Sequence, residues 1–113
     1  MEVLEDYEKK AISLLASSVL SLDRLNEVIQ NAELVGYQYT ESGYFLKVRH
    51  PYLPEDEKVC SKPTLMGEAE GIECGFVVFI GNRELTIECH SWGELNVPDD
   101  FRNKNVQVRI LVL

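Results

Sequence analysis

The chain has 113 residues, of which 45% are hydrophobic, and a formal net charge of −8 at neutral pH. This length and composition indicate one globular domain and exclude a disordered chain. The negative charge argues against nucleic acid and anionic membranes as partners, because an acidic surface is repelled by both.

The first third of the chain has the period of amphipathic helices. Apolar residues from Leu4 to Val19 recur at steps of three and four, which predicts a helix with one apolar stripe. Acidic residues up to Glu8 fall in its first turns, where the helix dipole favours negative charge. Either Ser21 or Asp23 can cap a second helix that ends near Asn31.

From residue 34 onward the apolar period changes to two, which predicts strands. Residues 35–39 and 44–48 form two such runs, and residues 40–43 supply a turn between them. Residues 50–57 contain two prolines and three acids, a composition typical of a loop. Short strands are expected over residues 58–60 and 64–69.

The strongest β pattern is a hairpin. An apolar strand over residues 76–80 and an alternating strand over residues 84–90 flank a predicted turn at Gly81-Asn82. A two-residue loop there would place Ile80 opposite Arg83. The predicted buried face holds Phe76, Val78, Leu85, Ile87 and Cys89, and the opposite face holds Glu84, Thr86, Glu88 and His90.

The end of the chain is interpreted as a second loop followed by a strand. The loop covers residues 92–100, and the strand has one buried face formed by alternating apolar residues from Val106 to Val112. The expected fold is therefore α+β, with N-terminal helices packed on a mainly antiparallel β-sheet in a single domain over residues 1–113.

The residues that could carry chemistry lack the spacing of an active site or a metal centre. The cysteines and histidines do not converge as metal ligands do, so no metal and no cofactor are expected. The acidic surroundings raise a thiol pKa, so catalysis is not expected either. The odd cysteine count favours reduced thiols, and the acidic start of the chain does not fit a signal peptide, which together predict a cytoplasmic protein. The cysteines and histidines considered as metal ligands or catalytic groups are Cys60, Cys74, Cys89, His50 and His90.

The negative charge is concentrated in residues 55–100, which hold eleven acids and three bases. Trp92 lies among these acids in a predicted loop. Its indole either closes the sheet edge or forms an exposed anchor for a protein partner. The candidate partner-binding residues are Glu55, Asp56, Glu57, Glu84, Glu88, Trp92, Glu94, Asp99 and Asp100.

Two segments of the sequence carry a resemblance. Residues 74–94 (CGFVVFIGNRELTIECHSWGE) combine a hydrophobic hairpin with an aromatic-Gly-Glu loop, and residues 97–102 (VPDDFR) follow. This pattern resembles small bacterial immunity proteins of polymorphic-toxin and contact-dependent growth inhibition loci, over about a quarter of the chain. The resemblance implies a cytosolic inhibitor that binds a cognate toxin domain. The charge is consistent with that role, because a nuclease toxin is basic where it holds phosphates.

Two other functions stay open at this point. The chain could be a non-catalytic interaction or adaptor subunit. It could also be a small-ligand-binding or enzymatic domain with a cavity lined by His50, His90 and carboxylates, although a small-molecule ligand is not the primary expectation.

Overall fold

The computed structural model describes residues 3–93 and 96–112, and its helices lie on one face of a seven-stranded antiparallel sheet. This arrangement confirms the predicted α+β class. The elements are α1 (Asp6–Ala16), α2 (Leu22–Asn31), β1 (Glu33–Tyr39), β2 (Gly43–Arg49), β3 (Lys58–Cys60), β4 (Leu65–Ala69), β5 (Ile72–Gly81), β6 (Glu84–Ser91), a 3₁₀ turn (Phe101–Asn103) and β7 (Gln107–Ile110).

Both helices begin where a side chain accepts a hydrogen bond from a free backbone N–H. Before α1, the Glu5 N–H donates to Oε1 of Glu8 at 2.8 Å. Before α2, Oγ of Ser21 accepts from the Arg24 N–H at 3.4 Å, so Ser21 rather than Asp23 is the cap. Each contact satisfies a donor that has no partner inside the helix.

The strands follow the order β1-β2-β6-β5-β4-β7, with β3 also paired to β5. The long strand β5 has room for two neighbours on one side, because β4 pairs with its first residues and β3 with its last. Strand β1 ends the sheet on one side and contains a bulge between Leu34 and Gly36.

The two faces of the sheet differ in what covers them. One face packs against the helices, and the predicted set Phe76, Val78, Leu85 and Ile87 is at most 4% exposed there, which confirms the predicted faces. We call the other face the open face, because no helix in the described part of the chain packs on it. Its central residues are Phe45, Lys47, Arg49, Glu68, Glu73, Gly75, Val77, Phe79, Glu84, Thr86, Glu88 and His90.

The pairing within the β5–β6 hairpin differs from the prediction. Ile80 lies opposite Leu85 rather than Arg83, and the turn is Asn82-Arg83, both with positive φ. The loop over residues 50–57 holds this turn, since the Arg83 N–H donates to the carbonyl of Pro54 at 3.1 Å. The shift changes each partner by two positions, so every side chain stays on its predicted face.

Two strand boundaries also differ from the prediction. Strand β5 begins at Ile72, four residues earlier than expected, and β7 ends at Ile110. Ile110 pairs with Leu65, the first residue of β4, and the Leu111 N–H still donates to the Thr64 carbonyl at 2.8 Å, just before β4 begins. The predicted buried face is wrong at its end: Val106 and Val108 are buried, whereas Ile110 is 44% and Val112 is 84% exposed where the sheet ends.

Candidate functional site

The predicted partner-binding residues lie at two ends of the sheet rather than in one patch. One group surrounds the Asn82-Arg83 turn and the other lies beside the start of β5. Ten residues of β5 separate them, a length of about 30 Å. The first group consists of Glu55, Asp56, Glu57 and Glu84, and the second consists of Trp92, Asp99 and Asp100. Glu88 lies between the two groups, and Glu94 is outside the described residues.

Basic side chains already contact two acids near the Asn82-Arg83 turn. Glu84 accepts a hydrogen bond from Nη2 of Arg49 at 2.8 Å, and Nζ of Lys47 lies 3.7 Å from its other oxygen. The hydrogen bond from Arg49 holds the pKa of Glu84 below its ordinary value. Nη2 of Arg83 lies 3.4 Å from Glu55. A basic partner would have to compete with these contacts.

An open groove of about 400 Å³ lies beside the same turn. Glu55, Glu57 and Glu84 line it together with Val59 and Phe79. Val59 is 66% exposed and Phe79 is 38% exposed, and the two lie opposite each other in the β3–β5 ladder. This end of the open face therefore presents apolar side chains among charged ones.

Trp92 lies on the open face, above the backbone of Gly75. A Cβ atom added to Gly75 would lie 2.6 Å from Nε1 of Trp92 and 2.9 Å from Nε2 of His90, so only glycine leaves room for both rings. The backbone N–H of Trp92 donates to the carbonyl of Glu73 at 3.0 Å and extends the β5–β6 ladder by one hydrogen bond. Trp92 therefore packs on the sheet and also keeps 43% of its surface exposed, so it has features of both predicted roles, the closing of a sheet edge and an exposed anchor for a partner.

Three carboxylates lie on the open face near Trp92, and we call them the carboxylate trio: Glu68, Glu73 and Glu88. Glu68 and Glu73 are directly opposite each other in the β4–β5 ladder. Glu88 lies two residues before His90 on β6, with 3.9 Å between Oε1 and Nδ1 of the histidine. In the part of the chain that the structure describes, no lysine or arginine forms an ion pair with any member of the trio.

Glu68 and Glu73 are not among the site residues predicted from the sequence. The predicted strand begins only at Phe76, so Glu73 had no predicted face. The apolar residues Ile72, Cys74 and Phe76 alternate in the sequence with Glu73 and Gly75, and this period of two could have revealed the earlier start of the strand.

The acids at residues 99–100 lie beside the 3₁₀ turn. Oδ1 of Asp100 is 3.7 Å from Nζ of Lys104, and the same ammonium lies 2.6 Å from Oε2 of Glu70. The hydrogen bond to Glu70 raises the pKa of Lys104. Asp99 is exposed. Asp100 is thus partly neutralised by a neighbouring cation.

A buried polar cluster lies beneath the sheet, between α1 and the 3₁₀ turn. Glu8 is fully buried, and its two oxygens accept hydrogen bonds from Nη2 and Nε of Arg102, both at 2.9 Å. The Tyr44 hydroxyl donates to Glu8 at 2.5 Å and lies 2.7 Å from the Tyr7 hydroxyl. Glu8 lies in the first turn of α1, as predicted, and its burial against Arg102 is a feature that the sequence pattern did not indicate.

Electrostatics in this cluster favour a fixed ion pair. Burial lowers the pKa of Arg102, but the hydrogen bonds and charge of Glu8 outweigh it and hold that pKa above its usual value. Burial raises the pKa of Tyr7 and of Tyr44, so both hydroxyls stay protonated. All four polar groups have partners, and the cluster joins α1, β2 and the 3₁₀ turn rather than presenting a reactive group to solvent.

The two histidines lie at opposite ends of β2. His90 is paired with Gly43 at the start of the strand, whereas His50 directly follows its last residue. Nδ1 of His50 accepts from the Tyr52 N–H at 3.0 Å, and its Nε2 lies 3.6 Å from Glu27. The two rings therefore do not line one cavity, as the small-ligand interpretation requires.

All three cysteines are buried and free of disulfides. The hydrogen bond with Cys74 and then burial raise the pKa of Cys89, and burial raises that of Cys60. Cys74 and Cys89 are core residues, and Cys89 lies on the buried face predicted for it. Within residues 3–93 and 96–112, His, Cys, Asp and Glu form no group of three or more that could hold a metal ion.

Comparisons with protein-family models, with curated proteins and with solved structures found no match to this chain. No helix within the described residues is long and apolar enough to cross a membrane.

Proposed function

We propose that this protein is a bacterial immunity protein that binds a cognate basic toxin domain, a nuclease, and blocks its active site. In this proposal the protein acts in the cytoplasm and works by binding alone, without catalysis or a cofactor. The resemblance of residues 74–94 and 97–102 to immunity proteins supports the role, and the net charge of −8 supports a basic partner.

One observation carries the proposal: the open face presents large apolar side chains among carboxylates. Val59, Phe79 and Trp92 are between 38% and 66% exposed on a sheet face that no described element covers. An aromatic or aliphatic side chain surrounded by polar groups is the composition of a protein-binding surface. The groove beside the Asn82-Arg83 turn is open to solvent, which suits another protein better than a small molecule, because small-molecule sites enclose most of their ligand.

The nuclease class follows from charge. A nuclease must hold the phosphates of its substrate, so its cleft is lined by lysine and arginine. An acidic inhibitor accelerates its own association with such a cleft through long-range attraction and then excludes the substrate.

Co-expression tests this function. The chain is expressed in bacteria together with the C-terminal toxin domain encoded next to its gene, and growth is measured. We expect restored growth and a stable one-to-one complex on gel filtration. A folded, soluble chain that neither binds the toxin domain nor restores growth would refute the proposal. A complex without restored growth would point to an adaptor instead.

A further inference from the structure

We infer that the basic partner docks at the Trp92 end of the open face, with a lysine- or arginine-rich protein surface seated on Trp92 and among Glu68, Glu73 and Glu88. This inference rests on the proposed function and adds the location of the binding site. Four features of the open face support it.

The first feature is which carboxylates are free to bind a cation. Near the Asn82-Arg83 turn, Arg49 and Lys47 contact Glu84, and Arg83 contacts Glu55. The carboxylate trio has no such partner among the residues described. A cationic side chain from another protein therefore gains its full attraction at the trio and only a part of it near the turn.

The second feature is the direct opposition of two like charges. Glu68 and Glu73 face each other across the β4–β5 ladder, an arrangement that destabilises a sheet. A guanidinium placed between the two carboxylates would convert that repulsion into two charge-assisted hydrogen bonds. The free protein thus carries a repulsion that a basic partner relieves.

The third feature is the placement of Trp92. Gly75 leaves room for the indole against the strand backbone, and the backbone N–H of Trp92 donates to the Glu73 carbonyl at 3.0 Å. Because its backbone already belongs to the ladder, Trp92 loses less conformational entropy on complex formation than a residue of an unpaired loop does. Its exposed part can pack under an arginine or lysine side chain, whose charge is attracted to the ring.

The fourth feature is the direction of Arg109, a basic side chain that lines one groove together with Glu68. Arg109 lies opposite Met66 in the β4–β7 ladder, and its Nη2 points to Sδ of Met66 at 3.7 Å. It does not form an ion pair with Glu68 or Glu73 in the described part of the chain. The acids on this part of the face therefore keep their charge for a partner.

Trp92 provides a direct signal for the first experiment, because it is the only tryptophan in the chain. Hexa-arginine peptide is titrated into the wild-type protein at low salt, and indole fluorescence is recorded. The trio variant, Glu68→Gln/Glu73→Gln/Glu88→Gln, replaces the three carboxylates by neutral amides. Glu55→Gln/Asp56→Asn/Glu57→Gln is the matched control, because it removes the same number of charges from the opposite end of the face.

We expect a saturable fluorescence change in the wild type. The affinity for the peptide should fall about tenfold in the trio variant and about twofold or less in the matched control. Equal weakening by the two variants would mean that only net charge matters and would overturn the inference. Thermal melting of each variant verifies that the domain is folded.

The second experiment uses the toxin domain and separates the location from the function. If the wild-type chain restores growth, we expect Trp92→Ala to weaken toxin binding about thirtyfold, Trp92→Phe to recover most of it, and the matched control to protect fully. Full protection by both Trp92→Ala and the trio variant would refute this docking site while leaving the immunity function intact. Failure of the wild-type chain itself would refute the function.

Discussion

Glu8 shows how much one residue contributes to this fold. Its carboxylate is fully buried, and Arg102, located 94 residues later, neutralises it through two hydrogen bonds at 2.9 Å. A buried ion pair adds little stability relative to an apolar pair, but the loss of one partner leaves an unpaired charge in the interior. The resemblance to immunity proteins includes Arg102, and in this structure the residue holds α1 against the 3₁₀ turn.

Arg102→Ala should therefore lower the free energy of unfolding by about 3–5 kcal/mol. The measurement is urea denaturation followed by circular dichroism. Asp6→Asn is the control, because Asp6 is solvent-exposed on the same helix and its ion pair with Lys9, at 3.4 Å, is also exposed. That variant should change the free energy of unfolding by about 0.5 kcal/mol or less. A similar small effect of Arg102→Ala would contradict the structural role of the buried pair.

Gly75 determines where the single indole lies, and its replacement is informative. The added methyl of Gly75→Ala would meet the ring atoms of Trp92 and His90, which can move aside, so the domain should still fold. We expect the Trp92 emission maximum to shift to longer wavelength as the indole moves into water. Gly36→Ala is the control, because nothing lies within 4 Å of a Cβ at Gly36, and its emission should match the wild type. An unchanged spectrum in Gly75→Ala would contradict the packing of Trp92 on the strand.

At the scale of elements, the β5–β6 hairpin connects the core to the open face. Phe76 points to the helices and is 4% exposed, with its ring centroid 6.1 Å from that of Tyr7. Val77, the next residue, points to the open face and is partly exposed. The same strand therefore carries core stability on one side and candidate binding residues on the other.

Phe76→Ala should lower the free energy of unfolding by about 3–5 kcal/mol, since it removes a large buried ring and leaves a cavity. Val77→Ala should cost about 1 kcal/mol or less and serves as the comparison on the opposite face. Chemical denaturation of both variants measures the two free energies of unfolding. Equal costs for the two variants would mean that the faces are assigned incorrectly.

At the scale of the whole molecule, the charges at the two ends of the open face act over different distances. Residues 55–57 lie about 30 Å from the Trp92 end, which is several times the screening length of about 8 Å at physiological salt. In the proposed complex, these acids contribute to long-range attraction, whereas the carboxylate trio contacts the partner.

Reversal of Glu55, Asp56 and Glu57 to Lys should therefore slow association with the toxin domain at low salt and leave its dissociation rate unchanged. The difference from wild type should shrink as salt rises, because screening removes the long-range attraction. Surface plasmon resonance over a salt series measures both rates. Faster dissociation of the charge-reversed protein would place residues 55–57 inside the interface.

The sequence by itself determined the fold class and the inward and outward faces of β5 and β6. It also narrowed the cap of α2 to two candidates, one of which was Ser21. These features depend on local alternation and on neighbouring residues, which a single chain displays directly. The tertiary structure alone decided which acids are neutralised, because Arg49 and Glu84 are 35 residues apart and Arg102 and Glu8 are 94 apart. It also decided the turn of the hairpin, because the loop over residues 50–57 binds the backbone of Asn82-Arg83. Contacts between distant segments have no periodic signature in the sequence, so the paired acids, the buried ion pair and the position of Trp92 over Gly75 become visible only once the sheet is assembled.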